Sequence, residues 1–266
     1  MSTIRAVPVR LLPAATAGAV LREFFLLCLG AAVARVPFAP MPAMFGLCLI
    51  SSMCIQGVSC YGLCAGAVIG FCSVNQTDIW PLALSFPALV FAWQASDFLG
   101  FKKTKSSAVL LLGFCLVVPS LIVMPATLSS LLTWGLCCAL GFCCALLLSD
   151  IKSSLSLLGH FGLNAASSVL SPVLISALVI TGLCGVRFFW VAASGIAASF
   201  IVLCAAQLFG AGGGAIAGLI CGGALLWGGY PAALPAILGF AGLSAGLMPL
   251  RRKFLCAAAL CICAVV

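Results

Sequence analysis

The chain is a succession of apolar runs separated by short breaks that carry charge, proline or clustered polar residues. A bilayer core of about 30 Å takes about 20 apolar residues in a helix. On that measure spans are expected at about 21–36, 41–56, 58–73, 79–100, 107–126, 128–149, 169–186, 188–209, 210–229 and 231–249. The runs are too long for barrel strands and show no polar alternation, so helices are the expected solution. The expected fold is therefore all-α, a polytopic transmembrane helical bundle of about ten spans. Residues 1–20 are expected as a cytoplasmic basic lead-in and 21–266 as the transmembrane helical domain. Three prolines in VPFAPMP, 36–42, exclude regular helix through that break. The most polar stretch, Asp150 to Ser168, reads as a cytoplasmic loop with a short interfacial helix. The run 254–266 is apolar but only about two-thirds of a span. Arg5, Pro8, Arg10 and Pro13 precede the first run without a clear small-residue cleavage site, so no cleavable signal peptide is expected.

Composition narrows the class. Hydrophobic residues make up 65% and charged residues 6% of the chain, against about 25% charged in a soluble domain. Twelve Lys and Arg with four Asp and Glu cannot cover a soluble fold but can line short loops. The net charge of +8 is first a topology signal, because basic residues favour the cytoplasmic side. With the N-terminus inside, Lys102, Lys103 and Lys105 follow four spans, Lys152 follows six, and Arg251, Arg252 and Lys253 follow ten. All then fall on one cytoplasmic basic face, and Arg35 and Arg187 remain as single residues beside helix ends. Basic residues clustered at helix ends do not make a nucleic-acid surface. The expected location is the cell membrane, multi-pass, with the N-terminus cytoplasmic.

Glycine spacing gives the sharpest motif. Gly210, Gly214, Gly218 and Gly222 recur every four residues, as do Gly62, Gly66 and Gly70. Each set lines one helix face, where missing side chains let two backbones approach and gain dispersion contacts. The rival reading is a substrate path lined by exposed backbone. GAGGGA at 210–215 also fits a dinucleotide-loop pattern, but no strand precedes it and no acid follows about 20 residues later.

Catalytic chemistry is sparse. The seventeen cysteines contain no C-x-x-C pair, and His160 is the single histidine, so they read as packing residues in a reducing cell. Arg22 and Glu23 need not pair, being neighbours on a helix. Asp97, with Gln94, lies about one turn from the end of its span; Asp78 and Asp150 lie in loops. Gln56, Gln207 and Asn164 are expected to bridge helices by hydrogen bonds. No paired carboxylates, metal set or phosphate loop is visible, so no enzyme activity and no cofactor are expected.

Several runs together resemble the N-terminal membrane region of stage II sporulation protein E. They are FFLLCLGAAVARVPFAPMPAMFG at 24–46, GLCAGAVIGF at 62–71, GAGGGAIAGLICGG at 210–223, and FAGLSAGL at 240–247 followed by the basic RRK. The resemblance covers nearly the whole chain. That family joins about ten spans to a cytoplasmic regulatory region and a metal-dependent phosphatase. Here the chain stops where the cytoplasmic part would begin, and the phosphatase's metal-binding aspartates have no counterpart. The resemblance therefore implies a membrane anchor or localisation module without phosphatase activity. Counting 254–266 as a further span would place the C-terminus outside, which does not suit a cytoplasmic effector.

Two functions from different classes follow. One is a non-catalytic module that anchors, assembles or localises a partner at the membrane. Its expected partners are the lipid bilayer, a cytoplasmic or membrane protein, and a second copy of itself. The other is a small-molecule permease, for which the Pro-broken segments at Pro81 and Pro87, Pro119 and Pro125, and Pro231 and Pro235 would be the broken helices.

Overall fold

The computed structural model describes residues 17–38, 43–57, 60–74, 80–98, 105–123, 127–149, 166–188 and 191–247. These residues are almost wholly helical. Nine helices are present among them: α1 (Ala17–Ala34), α2 (Met44–Ile55), α3 (Tyr61–Val74), α4 (Trp80–Phe98), α5 (Lys105–Val123), α6 (Leu128–Ser149), α7 (Ala166–Leu183), α8 (Ala193–Trp227) and α9 (Leu234–Leu247). Two short strands, β1 (Arg187–Phe188) and β2 (Val191–Ala192), pair antiparallel between α7 and α8.

Helix ends follow local chemistry. At the end of α2, Gly57 takes φ +69° and its N–H reaches the Cys54 carbonyl. The left-handed region accepts glycine without a Cβ penalty. At the end of α8 the Gly229 N–H bonds the Leu226 carbonyl and the Tyr230 N–H bonds the Leu225 carbonyl, with Gly229 at φ +89°. That is the Schellman arrangement, which satisfies carbonyls the helix leaves open.

Among the described residues, one helix is long and apolar enough to cross a membrane: Ala193–Trp227, 35 residues. It is not straight. Gly210 inside it takes φ 70° and ψ −161°, a conformation open essentially to glycine alone. In a straight helix, residues 206 and 214 would stand about 12 Å apart along the axis. Here a Cβ added to Gly214 would lie 2.7 Å from the Ala206 Cβ. The Ser194 hydroxyl also meets the Tyr230 hydroxyl at 3.2 Å. So α8 is folded back on itself at Gly210 into two antiparallel arms, 193–209 and 211–227, each about 26 Å long.

The buried residues form two clusters. The larger joins α1 to α6 and includes Met44, Leu47, Leu49, Ile50, Leu63, Phe71, Phe86, Leu89, Leu116 and Leu148. The smaller joins both arms of α8 with α7 and α9 through Ile180, Ala198, Val202, Cys221, Leu225 and Leu238. α7 is shared between them, with Leu178 in the first and Ile180 in the second. Phe38 packs against both Phe45, at 5.4 Å between ring centroids, and Trp227, at 6.3 Å.

α2 is the central helix of the larger cluster. Every residue from Met44 to Cys54 is buried, including Ser51 and Ser52. A helix that is apolar on all sides is one that neighbours surround.

Helix directions can be read from the contacts. α1 and α3 run parallel, since Gly62 abuts Glu23, Gly66 abuts Leu27 and Gly70 abuts Ala31. α3 and α4 run antiparallel, with Gln94 donating to the Tyr61 hydroxyl and Phe71 on Phe86. α2 and α6 run parallel, Cys48 reaching Gly141 and Gln56 reaching Leu148 and Ser149. α7 is parallel to the second arm of α8, through Thr181 on Ala224 and Cys184 beside Gly228. The second arm and α9 are antiparallel, Gly214 meeting Gly242 and Gly222 meeting Pro235.

Some expectations need correction. α1 starts at Ala17, so the helix takes up the last part of the expected lead-in. α7 starts at Ala166, three residues inside the stretch expected as a loop. Residues 188, 191 and 192 belong to a strand pair and not to a helix. The interfacial helix expected near 150–165, the run 254–266, His160, Asp78, Asp150 and Asn164 lie outside the described residues.

Candidate helix-packing site and helix junction

The glycine stripes meet backbone. On α3, a Cβ at Gly62, Gly66 or Gly70 would strike the backbone of Glu23, Leu27 or Ala31 of α1. The partner residues repeat every four, as the glycines do, so the two helices lie in register along a common face. Gly30 of α1 completes the contact from the other side by abutting the Leu63 carbonyl. Gly182 of α7 likewise abuts the Ala32 carbonyl. In each case the helix axes approach more closely than any side chain would allow, which brings Cα–H groups within reach of carbonyl oxygens.

On the second arm of α8, Gly214 abuts Gly242, Gly218 abuts Leu238 and Gly239, and Gly222 abuts Pro235, all backbone of α9. Gly242 and Gly246 answer from α9, with Gly246 against Ala211. Gly210 does not share this face. It was expected as the first step of the ladder, but it forms the reversal and has nothing within 4 Å of its would-be Cβ. Spacing alone could not separate a packing glycine from one chosen for a positive φ.

Polar groups gather near helix ends. The Gln56 side-chain amide donates to the Leu148 carbonyl at 3.2 Å and the Ser149 carbonyl at 3.0 Å. These are carbonyls of the last turn of α6, which has no intrahelical donors left for them. Gln56 therefore ties the end of α2 to the end of α6. Gln207, also expected to bridge helices, is exposed on the first arm of α8. At the other end of α1, Arg35 donates to the Ser73 hydroxyl at 2.7 Å, and that hydroxyl donates to the Gly70 carbonyl at 2.7 Å. Arg22 is exposed while its neighbour Glu23 is half-buried, its carboxylate lying over Gly62.

Hydroxyls within helices turn onto their own backbone. Ser52 donates to Leu49, Ser149 to Leu146, Ser176 to Val173, Ser244 to Ala241 and Thr181 to Ala177. Such back-bonding satisfies a hydroxyl without a partner helix.

Two cysteines that sequence reasoning treated as packing residues meet at the α2–α3 turn. The Cys54 thiol donates to the Cys60 sulfur at 3.2 Å, and both residues are buried. The usable signal was their position on either side of a turn glycine. Among the described residues, no group of three His, Cys, Asp or Glu is placed to hold a metal ion. Lys102, Lys103, Lys152, Arg251, Arg252 and Lys253 lie outside the described residues, and Lys105 is described only as the first residue of α5.

No family model, curated protein or solved structure matches this chain.

Proposed function

We propose that the chain is a ten-crossing membrane bundle that holds other proteins at the membrane, with its N-terminus on the cytoplasmic side. The observation that carries the membrane part is the reversal at Gly210. It divides the single long apolar helix into two arms of near-bilayer length and so makes ten helical segments of the nine helices among the described residues. Each pair of segments whose direction can be read is parallel when an even number of crossings separates it and antiparallel when the number is odd. A chain that crosses at every segment must behave in this way.

The outer surface supports the same reading. Only 17% of the most apolar stretch of α8 is buried, unlike the core helix of a soluble domain. Phe91 is 72% exposed and Phe240 74% exposed, alongside Leu110, Phe114, Leu132, Leu136 and Phe200. Soluble monomers rarely expose contiguous apolar area on this scale; hydrocarbon accepts it. An open groove of about 550 Å³ lined by Leu21, Phe24, Phe25 and Cys28, with Arg22 beside them, suits an acyl chain with its headgroup.

The anchoring role rests on how the interior is used. Glycine–backbone contacts close the helix interfaces, many hydroxyls turn to their own helices while Thr181 and Ser194 reach across, and Gln56 and Arg35 work at helix ends. A coupled transporter normally needs ionisable or carbonyl-lined groups near the midplane. The basic residues at 102–105, 152 and 251–253 would make one cytoplasmic face, worth about 1 kcal/mol per residue toward an anionic lipid surface. The resemblance to the sporulation phosphatase's membrane region fits this role.

The topology is tested by single cysteines in a Cys-depleted chain, labelled from outside intact cells. Positions 190 and 232 should both label and positions 104 and 252 should not. Labelling at only one of 190 and 232 would mean that α8 crosses once as a single helix. The anchoring role is tested by crosslinking pull-down beside a liposome uptake screen. Salt-sensitive capture of a cytoplasmic partner, lost on neutralising Lys102, Lys103 and Lys105, supports it; saturable solute uptake lost in Gln56→Leu would establish the permease reading instead.

A further inference from the structure

The α2–α3 turn carries two thiols in direct contact. Cys54 stands in the last turn of α2 and Cys60 immediately precedes α3. Their sulfurs are 3.2 Å apart. Between them the chain turns through Gly57 at φ +69°, and Gln56 reaches across to the last carbonyls of α6. The thiols of buried Cys48 and half-buried Cys184 are directed at backbone, at the Gly141 and Ile180 carbonyls, and the Cys60 thiol also lies 3.9 Å from the Ile50 carbonyl.

We propose that Cys54 and Cys60 are a reversible redox latch, closed to a disulfide by exchange with a low-molecular-weight disulfide. One thiol, as thiolate, attacks a sulfur of the small disulfide. A mixed disulfide forms and one small thiol leaves. The second cysteine then attacks the protein sulfur of that mixed disulfide and displaces the second small thiol. Two protein thiols are oxidised, one small disulfide is reduced to two thiols, and the two protons pass to the leaving thiolates. A disulfide holds its sulfurs at about 2.0 Å, so closure asks for an approach of about 1 Å from the 3.2 Å contact.

The latch acts on a junction of three helices. Closing it pins the turn that presents Gln56, so the end of α2, the start of α3 and the last carbonyls of α6 are held together. Opening it leaves Gln56 as a hydrogen-bonded tie on an unlinked turn. The device does not depend on whether the protein anchors a partner or moves a solute.

The full chain in phosphatidylcholine vesicles is treated with 2,2′-dithiodipyridine, and the peptide holding residues 54–60 is analysed by mass spectrometry before and after dithiothreitol. The expected product has lost two hydrogens, carries no pyridylthio group, and returns to the dithiol on reduction. The closed form should melt about 5 °C higher, and this rise should vanish in Cys60→Ser and in Cys54→Ser. A pyridylthio adduct retained on either residue overturns the proposal. So do two unreacted thiols when the exposed Cys28 and Cys72 have reacted, or a closed form that melts no higher than the reduced chain.

Discussion

The Ser194 hydroxyl donates to the Tyr230 hydroxyl at 3.2 Å although 36 residues separate them. A straight helix from one to the other would hold them about 50 Å apart. The bond exists because the chain doubles back at Gly210, and it closes the open end of the hairpin that the glycine begins. Tyr230→Phe should remove it at a cost of about 0.6 kcal/mol, the usual size of a side-chain bond between membrane helices. A double-mutant cycle with Ser194→Ala, read by thermal unfolding in detergent, measures the coupling; zero coupling would mean the hydroxyls do not meet.

Gly210→Ala should destabilise by about 1–3 kcal/mol, because φ 70° with ψ −161° is closed to a residue with a Cβ. Space is not the reason, since nothing lies within 4 Å. The check is the melting midpoint beside Gly223→Ala, which has equal space but a helical backbone. Equal midpoints in the two variants would show that the chain is not reversed at 210.

Gly66→Ala and Gly218→Ala should each cost about 1–3 kcal/mol through overpacking. The new Cβ would meet the Leu27 carbonyl in the first and the Leu238 carbonyl in the second. Gly212→Ala and Gly223→Ala, with open space around them, should be neutral or gain up to about 1 kcal/mol from helix propensity. Retained monodispersity in detergent reports the difference directly. If all four variants behave alike, the stripes are not packing faces.

Gln56→Leu should destabilise by about 1–3 kcal/mol, since it removes both donors to the Leu148 and Ser149 carbonyls. Hydrogen exchange should speed in the last turn of α6 and stay unchanged in α9. Uniform change across both helices would mean that Gln56 is not a local tie.

The helical segments were legible because apolar run length and proline breaks are written along the chain. The boundary expected between 209 and 210 coincides with the reversal at Gly210. The ladder's faces were legible too, since a spacing of four fixes which residues share a side. Their partners were not: nothing in Gly62, Gly66 and Gly70 names Glu23, Leu27 and Ala31, and only tertiary packing pairs the stripes. Gly210 shows the limit most plainly, because spacing assigned it to the packing face and its φ made it the turn. The centrality of α2 left only a faint mark, a short segment with apolar residues on every side and two serines. The Cys54–Cys60 meeting depends on the path of the turn between them, which no spacing rule supplies.

The reversal at Gly210 also has a consequence for what the bundle can offer at its cytoplasmic side. A turn built on a single residue contributes almost no loop, so in the proposed orientation the two arms of α8 meet the cytoplasm as a bare corner. A partner recruited as proposed would then be gripped elsewhere on that side. The other connections on that side follow α2, α4, α6 and α9, and the last three carry Lys102, Lys103, Lys152 and the Arg251, Arg252, Lys253 group. In that orientation three of the connections carry positive charge and the corner at Gly210 carries none.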